Sequence, residues 1–232
     1  PTPEPPPSPD PSICEDGLCT AENSNGTVEI PESQLDNVNF ETSGNTTTVT
    51  SVSTVSDMAI SVERKVTVDG ESLNKPTFTL TSGNKSQLTL SAENSNKATI
   101  NSEGGKSKIN FVGTTAKSPT INGNEGKEVV KIMDDSQITG KAKINLGENK
   151  DTVVIDGLIN KLTIDNGKDN DKDKITVNSY DLIKRKLAIN NFGNKDKLVI
   201  QGDVFKYKDL SNEQINNDLQ ELGILVDVIG SN

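Results

Sequence analysis

Histidine and tryptophan are both missing from this 232-residue chain. Without histidine it has neither the commonest general base near neutral pH nor the commonest transition-metal ligand. Aromatic residues make up only 3 %, as five Phe and two Tyr, so stacking platforms for sugars or bases are scarce. Hydrophobic residues reach only 31 %, well short of the near-half share of an ordinary single-core globule. No run of 18 apolar residues occurs, so no segment reads as a membrane-spanning helix. Basic residues are in deficit: 24 Lys and Arg against 34 Asp and Glu leave a net charge of −10 and a pI near 4.6. That balance argues against nucleic acid as a partner and favours solubility.

Proline is nearly confined to one end. Residues 1–13 hold seven of the ten prolines, and such a segment reads as an extended, stiff spacer or stalk. The chain begins at Pro, as a processed or a trimmed N-terminus would. The only two cysteines, Cys14 and Cys19, follow in "CEDGLC"; an even pair in an exported chain reads as a small disulfide loop closing the stalk. Residues 1–25 are therefore set apart as a Pro-rich stalk with its loop.

What the chain does have is repetition. Six stretches are versions of one phrase: "NKSQLTL" (84–90), "GKSKINF" (105–111), "GKEVVKI" (126–132), "NKDTVVI" (149–155), "DKDKITV" (171–177) and "NKDKLVI" (194–200). Their lysines, Lys85, Lys106, Lys127, Lys150, Lys172 and Lys195, are spaced by 21, 21, 23, 22 and 23 residues. A fixed period of this size is the mark of a solenoid. Upstream of each phrase stands a second apolar alternation, as in "KATI" (97–100) and "KLTI" (161–164). The unit reads as strand, Asn or Asp, turn, Lys, second strand, then a variable return loop.

The expected fold is all-β: a parallel β-solenoid, β-helix or β-roll-like, with coils of about 21–23 residues, regular over 77–202. Residues 26–76 show shorter alternations and read as irregular N-terminal β coils. Residues 203–232 break the period. There, Ser211 and Gln214 form a capping-box pattern opening a helix that Gly223 stops, and the strand "ILVDVI" (224–229) follows. A helix–strand cap is expected because the last coil would otherwise expose core and sheet edge.

Four recurring columns are candidates for a role. Asn84, Gly105, Gly126, Asn149, Asp171 and Asn194, before each Lys, are residue types that tolerate left-handed backbone and read as a positive-φ turn position. Asn101, Asn122, Asn145, Asp165 and Asn190 would stack as a side-chain ladder. The Lys column would place like charges in a row. The next column, Ser86, Ser107, Glu128, Asp151, Asp173 and Asp196, turns acidic toward the C-terminus and would offset part of that repulsion on a solvated face.

The stretches "LGENKDTVVI" (146–155), "DNDKDKITV" (169–177) and "NFGNKDKLVI" (191–200) resemble the glycine- and aspartate-rich nonapeptide of haemolysin-type (RTX) proteins. The resemblance implies a parallel β-roll and, at the matching positions Asp151, Asp173 and Asp196, calcium ligands. Here the paired glycines are mostly replaced, a Lys adjoins each Asp, and the period is near 22. Apart from that resemblance, no cofactor is expected.

No catalytic constellation emerges, and the chain reads as non-enzymatic. The leading reading is an extracellular structural, surface-display or adhesion module on a stalk, at a cell or virion surface. Its partners would be a protein or glycan surface, or other subunits of the same assembly. A bacteriophage fibre or capsid-decoration protein and a calcium-binding RTX-like secreted module are the alternatives. A carbohydrate-active enzyme using acids near Asp151 and Asp173 ranks below both, since glycan subsites favour aromatic platforms.

Overall fold

The computed structural model describes residues 13–81, 85–168, 171–206, 211–221 and 226–230. The proline-rich segment 1–12, Asn84 and Gly223 lie outside them. The chain is a parallel β-solenoid of about 7 turns, 64% strand, with a short C-terminal helix and strand.

Each coil follows from a period-two pattern that turns two corners. In the coil built from Lys85–Asn96 and Thr99–Ser102, the burial of the first strand alternates from Ser86 through Leu88, Leu90 and Ala92. The strand then bends, so that Asn94–Asn96 pairs with the next coil as a separate short ladder. The expectation was two strands and a return loop. The structure has three strand-bearing faces, because part of the return loop pairs in its own right: Ser72, Asn94, Thr115 and Gln137 stand in register there. The loop lengthens where the sequence does, with a 3-10 turn at Tyr180–Leu182 before Ile183 rejoins the ladder beside Ile159.

The core is a set of columns. Val66, Leu88, Ile109, Val130, Val153 and Ile175 occupy one register position in successive coils, and all are essentially inaccessible. Phe78, Ile100, Ile121, Ile144 and Ile164 form the facing column. A few inward side chains per coil suffice, which reconciles a low apolar content with a continuous core.

Left-handed backbone is needed, but mostly not where the residue types suggested. Gly105 (φ 77) and Asn149 (φ 80) adopt it, whereas Gly126 and Asn194 do not. Gly126 is required for space instead: a Cβ there would lie 2.9 Å from the backbone carbon of Gly104. The systematic positive-φ column is the corner before the third face, at Asp57, Lys75, Lys97 and Ser118 (φ 57, 51, 54 and 53), continued by Gly140 (φ 72). The N–H groups of the first four residues each donate to a carbonyl in the next coil, at 2.8–2.9 Å, so the ladder runs unbroken through the corner.

Both ends of the stack are closed. At the N-terminal end, Leu18–Asn23 and Gly26–Pro31 form an antiparallel hairpin, and Gly26–Pro31 pairs antiparallel with Ala59–Val62. Val38–Ser43 lies antiparallel along Thr46–Ser56. Regular parallel pairing therefore begins with Thr46–Ser56 against Lys65–Asn74, earlier than residue 77. The Cys14–Cys19 disulfide joins the outermost pair of strands.

At the other end, Asp203–Lys206 folds back antiparallel on Lys197–Ile200. Val226–Gly230 adds a parallel strand to Ile183–Phe192. The helix Asn212–Glu221 buries Ile215 and Leu219 and opens on the expected capping box, with Ser211 N donating to Gln214 Oε1 (2.8 Å) and Gln214 N to Ser211 Oγ (3.2 Å). Asn216 fastens the helix to the terminal strand through both directions of a bond to Val228.

Phe111, fully buried in the first-face column, tests the columnar core. Phe111→Ala is expected to cost about 3–5 kcal/mol in urea unfolding, the range for an aromatic cavity in a close-packed interior. A cost under about 1 kcal/mol would show that the coils collapse independently onto the gap.

Candidate functional site: a lysine row above a buried carboxyl ladder

The repeated phrase places its Lys and its acid on opposite sides of the sheet. Strand alternation sends Lys85, Lys106 and Lys127 outward and Ser86, Ser107 and Glu128 inward, on the side of the apolar pair. Ser86, Ser107, Glu128, Asp151, Asp173 and Asp196 are all buried, at 0–4 % exposure. The acid column is therefore not the solvated partner of the lysines. Lys85, Lys106, Lys127, Lys150, Lys172 and Lys195 are exposed, and among the described residues the only ion pair is Lys186–Asp227, elsewhere on the molecule.

Each inward acid is held by the coil before it. Asp151 Oδ1 accepts the Glu128 N–H (2.7 Å), Asp173 Oδ1 the Asp151 N–H (2.8 Å) and Asp196 Oδ1 the Asp173 N–H (3.0 Å). Asp196 Oδ2 takes two further donors, Asn166 Nδ2 (2.9 Å) and Gly193 N (2.8 Å). At the upper end Ser102 Oγ donates to Glu128 Oε1 (2.7 Å) and shares a hydrogen bond with Ser107 (2.8 Å). The ladder thus satisfies turn N–H groups that would otherwise face the core.

Charge makes this ladder unusual. Neighbouring carboxylates one coil apart, about 4.8 Å, would repel by roughly 3–4 kcal/mol at an effective dielectric of about 20. Burial pushes the Asp151 carboxyl up to about 9; the Glu128 N–H bond opposes this, and the charges of Glu128 and Asp173 add to the rise. Burial likewise raises Glu128 and Asp196, against their hydrogen-bond donors. Glu128 Oε2 and Asp151 Oδ2 are buried acceptors with no donor, and their carboxyls lie close enough to bond through a proton. Near neutral pH a proton on Asp151 supplies the missing donor and removes one charge.

The ladder does not suit calcium at Asp151, Asp173 and Asp196. The ion wants six or more oxygens around one point. These oxygens are instead strung along the stack, with Oδ1 of each committed to an N–H of the neighbouring coil, and no three acids among the described residues converge. Burial also shuts Asp151 and Asp173 away from any glycosidic bond.

The Asn column forms as expected on the third face. Asn101, Asn122, Asn145, Asp165 and Asn190 stand in one register row. Asn122 Nδ2 donates to Asn101 Oδ1, and Asn145 Nδ2 to Asn122 Oδ1, both at 2.9 Å. Asp165 Oδ1 accepts from Asn191 Nδ2 (2.7 Å) and Gly167 N (3.2 Å). A second ladder, Asn96 Nδ2 to Asn74 Oδ1 (2.9 Å), marks the preceding corner and had no repeated phrase to announce it. Both are structural.

A further surface feature is a cleft of about 700 Å³ lined by Asn45, Arg64, Lys65, Lys85, Gln87, Gly105 and Lys106. Arg64 Nη1 donates to Asn45 Oδ1 there at 2.7 Å. A smaller extension of about 300 Å³ carries the basic lining on to Lys108 and Lys127. Sequence reasoning took the Lys column alone and missed Arg64, Lys65 and Lys108, which only the register brings beside it.

No family model, curated protein or solved structure matches the chain.

The ladder dictates an inverted pH dependence. Glu128, Asp151 and Asp196 have folded pKa values above their unfolded ones, so the folded state holds extra protons among them. Stability is then fullest below about pH 4 and falls as pH rises toward 9, with Asp151 setting the upper end. The urea midpoint is expected to be higher at pH 5 than at pH 8.5. Asp151→Asn, which keeps the acceptor and supplies a donor, should flatten that slope; a midpoint that rises with pH would refute the protonated ladder. Millimolar calcium is expected to leave the melting temperature unchanged, and a clear upward shift would restore the metal reading.

Proposed function

We propose that the chain is a non-enzymatic structural module of an extracellular surface, which displays or adheres through the long side of its solenoid. The observation that carries this is the division of labour within the repeat. Its acids, amides and apolar residues are consumed in holding the stack, while its lysines alone are exposed column after column. A fold invested in a regular outer face suits presentation or contact, not turnover.

Closure at both ends supports the same reading. Antiparallel strands and the helix Asn212–Glu221 occupy the edges through which parallel coils would otherwise add to another chain. A closed, rigid rod of about 7 coils, with about 4.8 Å per coil, spans roughly 30–35 Å. The disulfide between Cys14 and Cys19 fits an oxidising location. The nonapeptide resemblance supports the coil architecture and brings no calcium chemistry with it.

Immunogold labelling of the intact producing cell or particle tests the proposal. Label on the outer surface is expected, and label confined to the cell interior would overturn it.

A further inference from the structure

The cleft and the lysine row meet on one face, and their register defines a shape. Lys85, Lys106 and Lys127 pair directly from coil to coil. Two residues further along the same strands, Lys65, Gln87 and Lys108 form a parallel row. Successive members of a row are about 4.8 Å apart, and the rows are separated by roughly 7 Å along the strands. Arg64 closes one end. The result is a double track of cations running along the solenoid axis, across the strands.

Exposed acids flank this track, with Glu63 beside Arg64, Glu103 near Lys106 and Glu125 near Lys127. On these strands the exposed acids are Asp69 and Glu71, toward the far end of Lys65–Asn74, and Glu93, toward the far end of Lys85–Asn96. No ion pair joins the track among the described residues. Beneath Lys85 and Lys106 lie Ser86 and Ser107, both neutral, and beneath Lys127 lies Glu128; beneath Lys150, Lys172 and Lys195 lie Asp151, Asp173 and Asp196. The same repeated Lys therefore stands over hydroxyls at the start of the stack and over carboxyls toward its end. A row of like charges at this spacing is unfavourable on its own and is relieved by a ligand of opposite charge and matching linear form.

We propose that this cleft, lined by Arg64, Lys65, Lys85, Lys106, Lys108 and Lys127, binds a linear anionic polysaccharide lying along the solenoid axis. The occupant follows from what the face offers. Gln87 and Asn45 add amide groups suited to hydroxyls between the charged groups of a sugar chain. Nucleic acid would want aromatic platforms for its bases. All five Phe are buried, at 0–9 % exposure, and none lines the cleft. A lipid surface would want exposed apolar residues beside the cations. The large exposed ones, Leu18, Val52, Val204 and Ile229, line neither the cleft nor its extension. The proposal rests on the extracellular adhesion reading for where such a polymer is met, and on the register of the lysines for how it is held.

Dextran sulfate is the probe, titrated against the full chain in a low-salt buffer, with neutral dextran, single-stranded oligothymidine and phosphatidylserine vesicles as comparators. Dextran sulfate is expected to bind tightest, with affinity falling steeply as salt rises. The triple variant K65Q/K85Q/K106Q should weaken binding by roughly tenfold or more, while K150Q/K172Q/K195Q, the same change in charge, should stay within about twofold. K65R/K85R/K106R keeps the charge and should retain binding, which separates loss of the track from loss of fold. Failure of dextran sulfate to bind, equal loss in both glutamine triples, or equal or tighter binding of oligothymidine or vesicles would overturn the proposal. Surface labelling without dextran sulfate binding would sink this site and leave the surface reading standing. Binding with label confined to the interior would do the reverse.

Discussion

In-register parallel pairing sets each side chain about 4.8 Å from the residue at the same position in the next coil. Every column must therefore tolerate a copy of itself above and below. Apolar columns satisfy this by packing. Amides satisfy it because each has a donor and an acceptor, so Asn101, Asn122 and Asn145 bond in series. Carboxylates are the difficult case, since an ionised acid has only acceptors. The column from Glu128 to Asp196 meets the constraint in two ways: backbone N–H groups occupy one oxygen, and raised proton affinity removes charge where the second oxygen lacks a donor.

The same constraint sorts the two halves of the stack. Toward the N-terminus the inward position is Ser, whose hydroxyl both donates and accepts, and Ser86 bonds to two carbonyls without any charge. Toward the C-terminus it is Asp, whose ionised form would fasten the turn N–H through a charge-assisted bond. Burial of a charge weakens that gain at neutral pH. The drift from Ser to Asp along the repeat is thus a change in how the turn is tied, with a side effect on the field felt by the lysines outside.

The period, the β class, the coil length and the capping helix were legible because each rests on local rules: alternation, spacing and the Ser211–Gln214 pair. The parity of the acid column was legible too. In "KSQLTL" the Ser is two residues before the first Leu and four before the second, which places it inward with them. Reading the Lys and the acid as neighbours on one surface overlooked that alternation. The left-handed corner was hidden for a different reason. Lys75 and Lys97 are not residue types that favour positive φ, and the continuing hydrogen-bond ladder imposes it. The third face and the antiparallel N-terminal closure were hidden because both depend on pairing between segments about 20 or more residues apart, which no local pattern specifies.

Recognition in a stack of this kind is confined to whatever the columns do not consume. Inward positions are committed to core or ladder, and corner residues to backbone geometry. Outward positions on the first face are free of both demands, so their composition can vary without disturbing the fold. There the chain, acidic as a whole, keeps basic residues in consecutive coils: Lys65, Lys85, Lys106 and Lys127. Repetition of a cation where repetition is costly, and where packing requires nothing of it, is a surface regularity that the stability of the solenoid leaves unexplained. A ligand that is itself a repeating anion supplies the explanation, because each added coil then contributes another contact of the same kind to one continuous partner.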